Sequence, residues 1–201
     1  MSNERLVAVN VGRRELLVLA EDWGLPQENH LRYSTLFLAQ LVQGAASRTL
    51  HVHCIFDVLR SIASGQRQPN TKEDGQFQNP PLAALWKAHF VQPSFIACNI
   101  RQHWNGEKGT RRLDRVVQRV SNEHIGEFVE GGLGNHIAHE FIVGAYEARA
   151  RSRALTGEWI IYNKCTQDID VLSFASHSES DDEIHARLSE FCGPNLDDIE
   201  W

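Results

Sequence analysis

Histidine and arginine are the side chains of this sequence whose types and spacing could carry out chemistry without a metal. The chain contains ten histidines, and imidazole ordinarily titrates between about pH 5 and 8, so it can accept or donate a proton near neutrality. Arginine adds a permanent charge and a planar fork of donors that matches the oxygens of a phosphate group. Together they indicate acid–base chemistry on a phosphate ester as the first hypothesis.

Five residues make up the candidate catalytic set. His177 ends a predicted strand, where a ring can face a cleft while the backbone is held rigid. His89 lies on the apolar stripe of its segment, and either it carries protons or it is a core histidine with a hydrogen-bond partner. His124 is an alternative proton carrier, and Arg119 or Lys164 would balance the charge of the phosphate. The competing interpretation of His177 is an exposed residue at the rim of a sheet, or a local cap of the turn that follows.

Arg119 and His124 are separated by four residues, in the segment Arg-Val-Ser-Asn-Glu-His. This spacing resembles the Arg-x4-His motif of the helical HEPN ribonucleases, in which Arg stabilises phosphate charge and His handles protons. The resemblance covers this segment alone. It departs from the family at Val120, where a polar residue is usual, and the family is all-helical whereas this chain ends in a predicted hairpin. The alternative is a solvated helix face with an Arg119–Glu123 ion pair.

Two other histidine pairs are candidate metal ligands with incomplete sets. His51 and His53 would face the same way in an extended segment, and His136 and His139 lie three residues apart beside Glu140. No carboxylate or cysteine completes either set at the spacing of a known site. The four cysteines are widely spaced and contain no CxxC. We therefore predict no cofactor, no structural metal and no disulfide. We expect reduced thiols, with Cys54 and Cys98 packed in the core because they lie in apolar helical segments.

The charge of the chain is unevenly distributed around a net value of −6. Residues 101–154 carry nine Arg or Lys against seven Asp or Glu, a net of +2, whereas residues 165–201 carry one Arg against ten acids, a net of −9. The acidic end suggests a second hypothesis, an adaptor or inhibitor that binds a basic protein, with Trp201 as an anchor. The first hypothesis, a metal-independent ribonuclease or toxin-like enzyme that uses His and Arg, implies RNA as the partner. The apolar runs are too short for a membrane span and no signal peptide is evident, so we expect a cytoplasmic protein.

Periodicity and turn residues predict the elements that must position these side chains. Strands are predicted where apolar residues alternate, and the last two should pair as a hairpin: Arg5–Val11, Trp159–Lys164 and Ile169–His177. Helices are predicted where apolar residues recur one turn apart, with a capping box at Ser180–Glu183: Arg13–Asp22, His30–Leu41, His51–Ala63, Leu82–Phe90, Ser94–Trp104, Arg111–Val129, His136–Leu155 and Asp181–Cys192. The polar segment 66–81 is predicted to be a mobile loop, and Asn105–Gly109 a turn. Gly157 is predicted to end the helix that precedes it.

These elements predict an α+β fold with a mostly helical body and a small antiparallel sheet, made of the C-terminal hairpin and the N-terminal strand. With 201 residues and 42% hydrophobic content, the chain suits a single domain over residues 1–201. The segments Pro81–Phe90, Leu155–Lys164 and Leu172–His177 resemble stretches of uncharacterised bacterial proteins. That resemblance implies a bacterial or phage source and carries no activity.

Overall fold

The computed structural model describes residues 11–66, 73–124, 132–152, 154–155 and 157–192, which form two compact units with an α+β fold. The fold class predicted from the sequence is confirmed. Unit 1 comprises residues 1–66, 75–88 and 159–201, and unit 2 comprises residues 67–74 and 89–158. A single domain over 1–201 remains a prediction, because compact units of one chain can belong to one folding domain.

Unit 1 contains four helices and most of the strand residues among the described part of the chain. Its elements are, in chain order: α1 (Arg13–Asp22), β1 (Leu31–Tyr33), α2 (Thr35–Ala46), α3 (Val52–Ser64), β2 (Gly75–Gln76), β3 (Trp86–Phe90), β4 (Glu158–Lys164), β5 (Ile169–Ala175) and α8 (Asp181–Cys192). The last residues of β3 and the first residue of β4 belong to unit 2.

The strands form one five-stranded sheet in the order β1-β5-β4-β3-β2. The predicted hairpin is confirmed: β4 runs antiparallel to β5, with Trp159 opposite Ala175 and Lys164 opposite Ile169. The predicted sheet was wrong in two respects, because β1 pairs with β5 in parallel and because β2 and β3 extend the sheet. Of the predicted strand Arg5–Val11, only Val11 is among the described residues, and it lies in no strand.

Helix α8 covers the predicted range and begins at the predicted capping box. The backbone N–H of Ser180 donates to Glu183 Oε2 at 2.8 Å, and the N–H of Glu183 donates to Ser180 Oγ at 3.3 Å. These hydrogen bonds satisfy donors that a helix start leaves open. The bond from the Ser180 N–H, together with one from the Ser180 hydroxyl to the same oxygen at 2.9 Å, lowers the pKa of Glu183. The apolar side of α8 joins a buried cluster with α2, β4, β5 and the segment before β3: Leu36, Phe77, Leu82, Leu85, Ile161, Leu172, Ala175, Ile184, Leu188 and Cys192.

The helix predicted over Leu82–Phe90 is wrong, because Trp86–Phe90 is strand β3. Ala84 has a positive φ of 79°, which breaks any helix through this segment. Ala88, His89 and Phe90 are buried in succession, as in a strand whose two faces are both covered. A short apolar run of this kind fits a buried strand and a buried helix equally well, so periodicity alone does not separate them.

The helix predicted over His30–Leu41 is correct only in its second half. Leu31–Tyr33 is strand β1, and α2 begins after Ser34, whose Oγ accepts a hydrogen bond from the backbone N–H of Phe37 at 3.0 Å. The Ser34 hydroxyl also donates to the carbonyl of Leu172 on β5. Pairing with the sheet and the cap at Ser34 therefore override the helical spacing of the preceding residues.

Unit 2 is mainly helical. Its elements are a 3₁₀ turn (Pro93–Phe95), α4 (Ile96–Trp104), α5 (Gly106–Glu123), α6 (Gly132–His139), a π-helical segment (Glu140–Gly144) and α7 (Ala145–Arg151). Three predicted boundaries were wrong: α5 begins inside the predicted turn Asn105–Gly109, α6 begins at Gly132 rather than at His136, and α7 ends at Arg151 rather than at Leu155. The predicted end of the helix at Val129 lies outside the described residues.

Gly157 was predicted to end a helix, but the structure gives it a different role. A Cβ at this position would lie 1.6 Å from the carbonyl oxygen of Phe90. The missing side chain therefore allows the chain to enter β4 in close contact with β3.

All four cysteines are free thiols, at different depths. Cys192 is buried and Cys54 half-buried, whereas Cys98 is exposed, so the prediction that Cys98 packs in the core was wrong. Burial raises the pKa of the thiols of Cys54 and Cys192. In the described part of the chain, no helix is both long and apolar enough to cross a membrane.

Candidate functional site

His177 and Lys164, the two candidate residues of unit 1, lie near opposite ends of β4. His177 is exposed in the turn after β5, and its ring centroid is 4.3 Å from that of Trp159, near the start of β4. Lys164 ends β4, and its Nζ lies 4.0 Å from the centroid of the Trp86 ring. Trp159 and Lys164 are five residues apart, or about 17 Å at roughly 3.3 Å per strand residue. The fold therefore does not bring this histidine and this lysine together.

His89 is a buried residue of β3, with 7% of its surface exposed. This is the environment of a core histidine, the competing interpretation of its apolar stripe. His89 belongs to unit 2 but lies on strand β3, whereas Arg119 lies on α5 and His124 follows α5. The histidine and the other two candidate residues are therefore carried by different elements.

Arg119 and His124 each contact a residue of the next helical stretch. The ring centroids of His124 and His136 are 4.8 Å apart, with an interplanar angle of 52°. Arg119 Nη2 lies 2.9 Å from Glu140 Oε2, and its Nη1 lies 3.6 Å from Glu123 Oε2. We call Arg119, His124, His136 and Glu140 the α5–α6 site.

Helix geometry explains how this site is assembled. Residues five apart on a helix point about 140° away from each other, so Arg119 and His124 would not share a face of a continuous helix. His124 is the C-cap of α5, with φ −115° and ψ 24°, so the chain leaves helical geometry there and its ring meets α6. Glu140 begins the π-helical segment, and such segments recur at functional sites because they redirect side chains.

The arrangement is suited to proton transfer beside a charged group. Among the described residues, no three His, Cys, Asp or Glu side chains are placed so that they could hold a metal ion. Two imidazoles in contact can divide the roles of proton acceptor and proton donor. The guanidinium of Arg119, which pairs with Glu140 four residues after His136, can stabilise negative charge that develops on a phosphate.

The other histidine pair considered for metal binding, His51 and His53, lies at the start of α3. With Trp23, Leu50 and Cys54, these residues line a cavity of about 420 Å³ in unit 1. The raised pKa of Cys54 favours the neutral thiol, which is a poor metal ligand.

His136 is the residue of the α5–α6 site that sequence reasoning assigned differently, since its spacing from His139 suggested only a metal ligand. The contact with His124 joins residues twelve positions apart, and no local motif signals it. Comparisons of this chain with family models, with curated proteins and with solved structures found no match.

Proposed function

We propose that this chain is a metal-independent ribonuclease that cleaves RNA at the α5–α6 site. The observation that carries the proposal is the contact between His124 and His136, with ring centroids 4.8 Å apart. Arg119, on the helix that precedes His124, pairs with Glu140, four residues after His136, at 2.9 Å. Cleavage of RNA without a metal needs one group that accepts a proton and one that donates it, together with positive charge at the phosphate. The site supplies these three groups within one helical unit.

The reaction uses the 2′-hydroxyl of the RNA as the nucleophile. One histidine, in its neutral form, takes the proton of the 2′-hydroxyl while its oxygen forms a bond to the adjacent phosphorus. The bond from phosphorus to the 5′-oxygen of the next nucleotide breaks, and the other histidine, in its protonated form, gives that oxygen a proton. The products are a 2′,3′-cyclic phosphate and a free 5′-hydroxyl.

Arg119 stabilises the charge on the phosphate, and Glu140 orients Arg119. A guanidinium has five N–H donors, so an ion pair with Glu140 at 2.9 Å leaves other donors for phosphate oxygens. Both side chains are partly exposed, at 49% for Arg119 and 32% for Glu140, so a substrate can reach them. The net charge of +2 over residues 101–154 favours an RNA strand near this region. We infer a cytoplasmic enzyme from the same proposal.

Cleavage of a short single-stranded RNA labelled at both ends, in the presence of EDTA, tests this function. The full chain should release fragments ending in a 2′,3′-cyclic phosphate, and an oligonucleotide without 2′-hydroxyl groups should stay intact. Replacement of either ring, His124→Asn or His136→Asn, should lower the cleavage rate by roughly 10²- to 10⁴-fold. Arg119→Gln should lower it by about 10²-fold or more.

His139→Asn is the matched control, because His139 is an exposed histidine on α6, three residues after His136. It should cleave at the rate of the unchanged chain. Absence of cleavage by the pure protein, or equal rates for the His124, His136 and His139 variants, would refute the proposal. The His177→Asn variant should keep its activity, since His177 lies in unit 1 beside Trp159.

A second candidate function is an interaction module that binds a basic protein through the acidic face of α8. Asp181, Asp182 and Glu190 are exposed on this helix, and Phe191 is 59% exposed. An exposed aromatic ring among carboxylates suits a partner with an apolar pocket and a basic rim. The predicted anchor Trp201 lies outside the described residues.

Co-purification from cells separates this candidate from the ribonuclease. If it is correct, a basic protein should accompany the unchanged chain and be lost with Phe191→Ser. The control Val18→Ser changes another exposed apolar residue of unit 1, on α1 and 48% exposed, and should retain the partner. Retention of the same partner by the Phe191→Ser variant would exclude the α8 surface as the binding site.

A further inference from the structure

Two arginines of unit 2 are held by neutral groups rather than by carboxylates. Arg149 donates from Nε to Asn99 Oδ1 at 3.1 Å and from Nη2 to Gln102 Oε1 at 2.9 Å, and it also donates to the carbonyl of Ala154. Arg112 donates from Nη1 to the carbonyl of His103 at 2.8 Å. Within the part of the chain that the structure describes, these neutral acceptors are the hydrogen-bond partners of both guanidinium groups. Their positive charges are oriented but not neutralised.

The close packing of three helices produces this arrangement. α4 packs against both α5 and α7, and it supplies Asn99, Gln102 and His103. At Gly109 a Cβ would lie 2.0 Å from the carbonyl oxygen of Trp104. Glycine is therefore required where α5 passes the end of α4, and this approach brings Arg112, three residues later, to the carbonyl of His103.

The three cationic or titratable groups of the cluster oppose one another electrostatically. Burial lowers the pKa of His103, and the positive charges of Arg112 and Arg149 lower it further. Burial also lowers the pKa of Arg149; the thiol of Cys98 opposes this effect, and the charge of Arg112 adds to it. Arginine stays protonated in proteins despite such shifts. Like charges gathered without a counter-charge lose stability, and a bound anion would offset that loss.

A row of aromatic rings continues from this cluster. The ring of His103 contacts that of Trp104 with centroids 4.6 Å apart, and Trp104 stacks on Phe141 at 5.2 Å and 5°. Phe141 is 38% exposed. Aromatic faces next to cations are the features that bind single-stranded nucleic acid, because bases stack on rings while arginines hold phosphates.

We propose that His103, Arg112 and Arg149 form a phosphate-binding site of unit 2, separate from the α5–α6 site, that holds a phosphate of a nucleic acid strand. Asn99 and Gln102 fix the direction of the Arg149 fork, and Arg112 approaches the same phosphate from α5. Arg112 and Arg119 are seven residues apart, close to two helical turns, so they project from the same side of α5 about 10 Å apart along its axis. That this strand is the RNA cleaved at the α5–α6 site rests on the proposed function.

Binding of a fluorescent single-stranded DNA oligonucleotide to the full chain, followed by anisotropy at several salt concentrations, tests the site. DNA carries the phosphates but lacks the 2′-hydroxyl, so it reports binding without cleavage. Arg112→Met and Arg149→Met should each weaken binding by about tenfold, since each removes charge-assisted hydrogen bonds to phosphate. Each should also reduce the slope of log affinity against log salt by about one.

Two neighbouring arginines are matched controls. Arg111 precedes Arg112 on α5 and pairs with Glu107 at 3.5 Å, and Arg151 follows Arg149 on α7 and pairs with Glu147 at 3.1 Å. Arg111→Met and Arg151→Met should change affinity by less than about twofold, because their charges are already neutralised and exposed. If Arg149→Met fails to fold, Arg149→Lys keeps the charge and loses the fork, and should still weaken binding.

Competition with inorganic phosphate tests whether the site binds only a nucleic acid strand or also binds small phosphate-bearing molecules. Displacement of the oligonucleotide by phosphate, with the same dependence on Arg112 and Arg149, supports the site and assigns it to small phosphate-bearing molecules as well. Equal weakening by all four methionine variants would overturn the proposal, because it would show a general effect of charge. Unchanged binding by the Arg112 and Arg149 variants would also overturn it.

The same variants separate this site from the proposed function. If His124→Asn and His136→Asn cleave RNA like the unchanged chain while Arg112→Met loses DNA binding, the ribonuclease proposal fails and the phosphate site stands. If RNA cleavage depends on His124 and His136 while DNA binding is unchanged in Arg112→Met and Arg149→Met, the phosphate site fails and the ribonuclease proposal stands.

Discussion

Arg32 in unit 1 and Arg149 in unit 2 are both partly buried arginines, yet they have opposite surroundings. Arg32 Nη2 lies 2.6 Å from Oδ1 of Asp170, a carboxylate with 4% exposure, and 3.7 Å from Asp168. Arg149 donates instead to the amide oxygens of Asn99 and Gln102. The charge of Arg32 is balanced inside the protein and stabilises the pairing of β1 with β5. Among the described residues, only neutral acceptors hold the charge of Arg149 in place, as expected for a group that meets an anion from outside.

The lysines Lys87 and Lys164 of unit 1, like Arg32, interact with groups inside the protein. Lys87 Nζ lies 4.4 Å from the ring centroid of Phe77 and 4.3 Å from that of Trp159, and Lys164 Nζ lies over Trp86. A cation over an aromatic ring gains electrostatic attraction and covers apolar surface. The cations at this sheet therefore contribute to packing, whereas Arg112 and Arg149 are held by neutral acceptors and can meet a ligand.

The largest effect that we predict is on the helix packing that gathers the unit 2 arginines. Gly109→Ala places a Cβ against the backbone of Trp104, at 2.0 Å from its oxygen, where only a shift of α5 relieves the clash. We expect a loss of about 3 kcal/mol in the free energy of unfolding, measured with urea. DNA binding should weaken too, because the shift moves Arg112 away from His103.

Gly134→Ala is the control for this prediction. Gly134 lies in α6, and a Cβ there meets nothing within 4 Å. Alanine should stabilise that helix by roughly 0.5–1 kcal/mol. Equal stability of the Gly109 and Gly134 variants would show that the contact of α5 with α4 is looser than described.

The next prediction compares an arginine paired with a buried carboxylate, Arg32, with an arginine held by a neutral acceptor, Arg112. Arg32→Met leaves the buried carboxylate of Asp170 without its main partner, although Cys165 Sγ lies 3.3 Å from Asp170 Oδ2. Because the Arg32 side chain is 33% exposed, we expect a loss of about 2 kcal/mol, less than the 3–5 kcal/mol for a fully buried pair. Arg112→Met should change the unfolding free energy by less than about 0.5 kcal/mol. A larger loss for Arg112 than for Arg32 would reverse the comparison.

The elements predicted correctly are those with strong local signals. The capping box at Ser180 and Glu183 marks the start of α8, and the alternation on both sides of residues 165–168 marks the hairpin. Strand β3 was missed because its signal comes from the neighbouring strands that bury Ala88, His89 and Phe90, and no local pattern encodes those neighbours. The start of α2 was shifted for the same reason, since β1 forms only through pairing with β5.

The candidate sites, too, could be predicted only as far as local sequence signals marked them. Arg119 and His124 are five positions apart, so sequence could suggest them as a pair, but the partner His136 required knowledge of how α5 meets α6. The cluster of His103, Arg112 and Arg149 draws on three helices and has no motif. One local signal was available: Gly106 and Gly109 lie at the start of α5, and glycine in a helix predicts a close approach of another backbone.

The smallest effect concerns the titration of His103. Its pKa in the folded protein is lowered, first by burial and then by Arg112 and Arg149, so the unfolded chain binds its proton more readily. The stability associated with the neutral ring is therefore fully present above the ordinary histidine pKa of about 6.5 and is lost as the pH falls through the folded pKa. The unfolding free energy of the unchanged chain should thus fall more steeply on acidification than that of His103→Gln.

Nuclear magnetic resonance titration of the His103 ring measures the cause of this effect. In Arg112→Met the pKa should rise toward the ordinary value, but only part of the way, because burial is the larger cause and remains. Saturating phosphate should raise it in the unchanged chain, because an anion beside the ring favours the protonated form. If neither Arg112→Met nor phosphate changes the pKa of His103, the ring does not experience the charges of the cluster. The contrast between Arg32 and Arg149 would then have no consequence for anion binding.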